Sequence, residues 1–280
     1  MNDAEFQYVT GQGRPSFPAL LAGFEAQSAA AVHTEDCRLD LPYGPGPRQV
    51  FDFFTARRRA RATLVYFHAG YWQSRDKATF RFIAPAFTRL GLNVALVNYP
   101  LCPTVSLGKL LESAHASLDA VATAGNASAR QQPLPLILSG HSAGGHIAVE
   151  LALAQMPVAA AQRPAVAGVV ALSGIYDLAP LLATTLNRNL MLDAADADRH
   201  SPLHRVQPER ARALFGVGGD ETTAFLDQSR QMCKAWQQAG NHGVLEIAPG
   251  ADHFSLLQQF TSPQASLYST TARFLDEALS

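Results

Sequence analysis

The chain is punctuated by short, continuously apolar runs. These are "ATLVYF", "LNVALVNY", "LPLILSG", "VAGVVALSG", "ARALFGVGG" and "GVLEIAPG", most of them β-branched or aromatic and closed by Gly or Pro. Between them lie stretches whose apolar residues recur three and four positions apart. Examples are "ATFRFIAPAFTRLG", "SLGKLLESAHASLDAVATAG", "GGHIAVELALAQM" and "TTAFLDQSRQMCKAWQQAG", with "SPQASLYSTTARFLDEALS" after the last run. Strand runs with no polar face, separated by helical periods, predict a parallel sheet covered on both sides and wound by right-handed crossovers. Two earlier runs, "CRLDL" and "QVFDFF", flank the turn "PYGPGP" and predict an antiparallel start. Residues 1–35 carry only helical patches. The stretch from Ile175 to about Gln207 interrupts the alternation as an insertion. The pattern predicts one doubly wound α/β domain over residues 1–280, with residues 1–35 and 175–207 able to roof a site.

Composition narrows the partners. The chain has 280 residues, 48% of them hydrophobic and 16% charged, with a net charge of −1. That is ample apolar material for a large core, and too little charge of one sign to draw nucleic acid or an anionic membrane. Arg57, Arg58, Arg59 and Arg61 cluster, and are read as a solvated turn between two strands rather than a phosphate patch. Cys37, Cys102 and Cys233 are odd in number and far apart, so neither a disulfide framework nor a zinc site is expected. The start "MNDAEFQYVT" lacks the profile of a secretory leader, and no apolar run reaches membrane-spanning length. The expectation is a cytoplasmic protein acting on a small molecule, without nucleic acid or membrane. A homodimer is left open.

Candidate chemistry sits at the end of one strand run. Between "PLIL" and "HIAVELAL" stands Gly140-His141-Ser142-Ala143-Gly144, a G-x-S-x-G pattern. In a strand-to-helix turn of this kind the serine occupies a strained apex with Oγ exposed, as in the nucleophile elbow of α/β-hydrolases. Side chains at Gly140 and Gly144 would obstruct the close approach of strand and helix. The free N–H of Ala143 opens the helix, where an oxyanion can bind. A serine needs a base, and the base an orienting acid, in the chain order Ser, Asp/Glu, His. Five histidines follow Ser142. His146 lies on the helix leaving the elbow, His200 and His204 in the insertion, and His242 in a turn before a strand. His253 follows the strand "VLEIAPG", at the edge where ligands meet such sheets. The acid should follow "RALFGVGG", where Asp220 and Glu221 stand side by side; one would face His253 and the other cap the next helix. The turn "HAG" after "ATLVYF" offers the N–H groups of Ala69 and Gly70 as further oxyanion donors. Tyr71, Trp72 and Phe254 are candidates for the pocket wall. No dinucleotide or P-loop motif is complete, and His141 and His146 are poorly spaced for joint metal ligation.

Together "YGPGPRQVFDFF", "HAGYWQS", "VNYPLCP", "GHSAGGHIA", "LSGIYDLAPL", "GGDETTAFLDQSR" and "DHFSLL" resemble the α/β-hydrolase group of kynurenine formamidases (arylformamidases) and their bacterial esterase-like relatives. The resemblance runs from about Tyr43 to Phe274. It implies the α/β-hydrolase fold, Ser142 as nucleophile and His253 as base, with Ala69, Gly70 and Ala143 at the oxyanion. In this family the acid stands four residues before a phenylalanine, ahead of a "QS" pair. Counting back from Phe225 selects Glu221 over Asp220. The implied activity is acyl transfer through a covalent ester, releasing a small acyl or formyl group from an ester or aryl amide, with no metal or cofactor. A general short-chain carboxylesterase is the nearest alternative, and a non-catalytic binding protein on the same fold a more distant one. One departure is Ala69, where the family has a second glycine.

Overall fold

The computed structural model of the protein describes residues 3–127, 133–154, 165–208 and 211–280. All the predicted strand runs enter one eight-stranded sheet: β1 (Cys37–Pro42), β2 (Val50–Phe54), β3 (Ala62–Phe67), β4 (Leu92–Val97), β5 (Leu136–His141), β6 (Val166–Leu172), β7 (Arg212–Gly218) and β8 (Gly243–Ala248). Their spatial order is β1-β2-β4-β3-β5-β6-β7-β8. The β1–β2 and β2–β4 pairs are antiparallel and the remainder parallel. This is the α/β-hydrolase fold, with a mixed sheet and helical additions.

The helices follow in chain order. α1 (Ala4–Tyr8) and α2 (Phe17–Thr34) precede the sheet. α3 (Ala84–Thr88), α4 (Leu107–Asn126) and α5 (Ala143–Leu153) connect its strands. α6 (Asn187–Leu190) and α7 (Ala194–Arg199) lie in the insertion. α8 (Thr223–Gln238), α9 (Leu256–Thr261) and α10 (Ser266–Ala278) complete the chain. The end of the helix expected in "GGHIAVELALAQM", residues 155–156, lies outside the described residues.

Because side chains alternate across a strand, the central strands feed two cores. Val65, Phe67, Ala95, Val97 and Leu138 join the core under α4, α5 and α8. Their neighbours Leu64, Tyr66, Val94, Leu96 and Ile137 join the other, under α3, α9 and α10. Burying each Leu or Val contributes about 1.5–3 kcal/mol, which explains why these strands carry no polar face. Ser106 caps α4, its side chain accepting from Lys109 N–H at 3.4 Å.

The segment "ATFRFIAPAFTRLG" is not one helix as its spacing predicts. Lys77–Ile83 forms a 3₁₀ helix, and α3 begins anew at Ala84 with Pro85 in its first turn. Asp76 accepts from Ala78 N–H, and Asn98 from Lys77 N–H, so side chains rather than a helical ladder satisfy this start. Buried Lys77 pairs with Asp40 and Asp52, and Arg81 with Asp52. The arginine cluster is a turn between β2 and β3, where Arg57 pairs with Glu35 and Arg61 with Asp276. Among the described residues no helix is long and apolar enough to cross a membrane, and no His/Cys/Asp/Glu group could hold a metal. The three cysteines are unpaired.

Candidate active site

The elbow is built where β5 turns into α5. Ser142 adopts φ 57°, ψ −119°, a conformation that costs a non-glycine residue about 1–3 kcal/mol. Surrounding bonds hold it there. Its N–H donates to the Leu172 carbonyl at 2.8 Å, and its carbonyl accepts from His146 N–H at 3.1 Å. The flanking glycines are sterically required. A Cβ at Gly140 would lie 2.2 Å from the Gly144 carbonyl oxygen, and one at Gly144 would lie 1.9 Å from that of Phe67. Ala143 is the first residue of α5, so its N–H is among those a helix leaves without an internal partner.

Glu221 and His253 come from the loops after β7 and β8. His253 Nδ1 lies 2.7 Å from Glu221 Oε2, and both side chains are buried. A carboxylate only accepts, so Nδ1 carries the hydrogen and Nε2 is left to act on another group. The second oxygen, Oε1, accepts from Ser173 Oγ at 2.5 Å and from Gly218 N–H at 2.8 Å. Asp220 is exposed and does not point at the base. Its N–H donates to the Ala251 carbonyl, and its own carbonyl accepts from Arg14. Nor does it cap α8, whose N-cap is Thr222 and whose Ala224 N–H donates to Gln7 Oε1 instead. Phe225, His141 and Phe254 surround the His253 ring at centroid distances of 4.4, 4.6 and 5.4 Å. Burial, with His253 alongside, drives the His141 pKa well below the ordinary histidine value, so this neighbouring ring is neutral.

Ser142, His253, Ala69 and Gly70 line one cavity of about 370 Å³. The "HAGYW" turn is tightly wound. Gly70 has φ 129°, and a Cβ there would lie 2.2 Å from the Ser74 carbonyl oxygen. Tyr71 and Trp72 follow at φ 51° and 61°. Behind the turn, Tyr99 OH donates to the His68 carbonyl at 2.7 Å, and burial lowers the His68 pKa to about 4. Tyr71 faces the cavity and donates its hydroxyl to the Tyr8 carbonyl; burial pushes its pKa up. Trp72 is not a wall residue. The left-handed step turns its indole into the core, edge-on to His146 at 5.1 Å.

Phe254 lines the cavity and packs against Phe17, with ring centroids 3.8 Å apart and the planes tilted by 31°. Phe17 introduces a wall that residue patterns did not resolve. Val9, Gln12, Gly13, Arg14, Pro18, Leu21 and Phe24 of the N-terminal segment line the cavity with it, and Phe80 and Leu257 add apolar surface. The segment is tied down by Gln12 Nε2 donating to Thr222 Oγ1 at 2.6 Å and Thr222 Oγ1 donating to the Gln7 carbonyl at 2.7 Å. None of the lining residues comes from 175–207. Instead of roofing the site, the insertion braces its cover from outside: Thr185 N–H donates to Glu5 Oε2 at 2.8 Å, and Gln73 Nε2 to the Leu186 carbonyl at 3.0 Å. Arg14 and Phe17 had no motif to mark them; Ser173 stands in "LSGIYDLAPL", but nothing in that motif pointed to its bond with the acid.

Known proteins share this arrangement of strands and loops. Over 271 residues the chain is 27% identical to a kynurenine formamidase of Danio rerio, covering 92% of this chain and 90% of the relative. It is 28% identical to a kynurenine formamidase of Salmo salar, with coverage of 79% and 76%. A Silicibacter crystal structure provisionally described as a thioesterase superposes with a TM-score of 0.82 at 29% identity, covering 95% of this chain and 98% of that one. Esterase B of Lactobacillus rhamnosis, at 18% identity and a TM-score of 0.72, shares the fold. Residues 64–257, more than half of the chain, match the family pattern described as alpha/beta hydrolase fold. A match over that much of the sequence fixes the family: this chain belongs to the alpha/beta hydrolase fold family.

Proposed function

We propose that the protein is a serine hydrolase that releases a small acyl or formyl group from an ester or aryl amide through an acyl-enzyme. The observation that carries this reading is the 2.7 Å contact of His253 Nδ1 with buried Glu221, at a cavity also lined by Ser142. His253 Nε2 takes the Ser142 proton as Oγ adds to the substrate carbonyl. Glu221 holds the imidazole's orientation and offsets its positive charge, without taking a proton. The backbone N–H of Ala143, with those of Ala69 and Gly70, receives the oxyanion; one such donor is worth about 10²–10³ in kcat. His253 then gives its proton to the leaving alcohol or amine. A water, deprotonated by the same nitrogen, cleaves the acyl-enzyme and frees Ser142.

Aromatic walls at Phe17, Phe80 and Phe254 suit a flat leaving group. The methyl of Ala69 beside the elbow favours a small acyl group, and the kynurenine formamidases among the relatives support formyl as one such group. Labelling with a fluorophosphonate probe tests the nucleophile: the protein should be labelled and Ser142→Ala should not. Labelling of the variant would refute the role of Ser142. Parallel turnover of an N-formyl arylamine and an aryl acetate ranks the two substrate types. Formyl turnover that is negligible beside ester turnover would favour the short-chain carboxylesterase.

A further inference from the structure

The cavity wall carries two guanidinium groups and no carboxylate side chain: Arg14 and Arg75 are its charged lining residues apart from histidines. They are used differently. Arg14 Nη1 donates to the carbonyls of Gly11 and Gly13, its Nη2 donates to that of Asp220, and Asp252 lies 4.0 Å from its Nε. Its donors are spent on the protein. Among the described residues, the Arg75 guanidinium has no hydrogen-bond acceptor and no acidic partner. The adjacent Asp76 is no substitute, because its carboxylate accepts from Arg48, Asn98 and Ala78 N–H. The Arg75 backbone sits at φ 75°, a left-handed conformation that costs an ordinary side chain. Its Cγ would lie 3.0 Å from a Cβ on Gly70, so the side chain folds over the oxyanion turn. Its guanidinium carbon lies 5.5 Å from the centre of the Phe17 ring, which also lines the cavity, so the charge is held over an aromatic face.

We propose that Arg75 is a specificity residue that pairs with a carboxylate on the substrate, at the end remote from the scissile carbonyl. The inference rests on the hydrolase reading and narrows it to esters or aryl amides that bear an anion. A carboxylate matches the two parallel N–H donors of a guanidinium. One unspent guanidinium balances one negative charge. A phosphate dianion would leave its second charge against Phe17, Leu21 and Phe254. Lysine would keep the charge but lose the fork.

The test compares 4-carboxyphenyl acetate with 4-carbamoylphenyl acetate, each rate divided by its rate of hydroxide hydrolysis. The ratio of kcat/KM values makes the neutral amide an internal reference within each protein. The native protein should favour the carboxylate about fivefold or more at low salt, with the preference shrinking as salt is added. Arg75→Gln should bring the ratio close to one, and Arg75→Lys should leave it in between. A native ratio near one, or a preference that survives in Arg75→Gln, overturns the proposal. Calorimetric binding of 4-acetamidobenzoate against 4-acetamidobenzamide reads the same preference without turnover. A preference for the benzoate that depends on Arg75 in a protein without esterase activity would uphold Arg75 and refute the hydrolase reading.

Discussion

Asp220 and Glu221 carry the same charge and adjacent numbers, yet it is Glu221 whose carboxylate meets His253. The difference lies in what fixes each carboxylate. Gly218 N–H and Ser173 Oγ hold one oxygen of Glu221 so that the other meets His253, while Asp220 faces solvent. Glu221→Gln should therefore lower kcat by about 10³–10⁴-fold, since an amide no longer holds the imidazole in its working tautomer. Asp220→Asn should change it less than about threefold, as rates measured on one ester would show. Residue type alone could not separate the pair; the spacing to Phe225, shared with the formamidase group, could. Ala69 is a second residue-scale departure with a measurable effect. Ala69→Gly removes a methyl from the cavity wall, and should raise kcat/KM for an aryl butyrate relative to the acetate by severalfold.

Elements were legible where one force dominates. The strands β3 to β6 announce themselves because burial on both faces leaves no place for a charge. The elbow is as plain, because steric exclusion at Gly140 and Gly144 admits nothing larger. Adding even one methyl at Gly144 forces it against the Phe67 carbonyl, so Gly144→Ala should cost several kcal/mol or prevent folding, read as a fall in Tm or loss of soluble protein. Legibility failed where competing forces meet. Lys77–Thr88 has the apolar spacing of a helix, but Asp76, Asn98 and Pro85 break it into two pieces. Trp72 belongs to a turn whose handedness decides whether its ring faces cavity or core, and that handedness is set by backbone angles no pattern records. The position of residues 175–207 depends on what they touch rather than on their own periodicity. Glu5 and Gln73 place them behind the cover.

At the scale of the whole molecule, buried histidines couple stability to pH. Burial first, and then cationic Arg48 or Arg205, hold the pKa values of His68 and His146 to about 4 against an ordinary 6.5. Between these values the unfolded chain binds a proton at each site and the folded chain does not. Stability from these sites is complete above pH 6.5 and falls as pH drops toward 4, by up to about 3 kcal/mol per histidine. Thermal melts should therefore shift down steeply across that window. His146→Gln should show a shallower slope there, whatever its Tm at neutral pH.

The cover also fixes an order in time. Residues 7–14 leave the ribosome before any strand of the sheet, but their anchors Thr222, Asp220 and Asp252 follow more than two hundred positions later. A nascent chain already past Ser142 has its elbow but neither acid nor base, and although Phe24 can already stack on Phe82, Phe17 waits without Phe254, the ring that later covers it. Long-range closure of this kind is slow and leaves apolar surface open in the interim. Emergence of residues 220–253 therefore supplies the anchors of the cover together with the acid and the histidine, so that products truncated before them carry a loose cover and an elbow without partners.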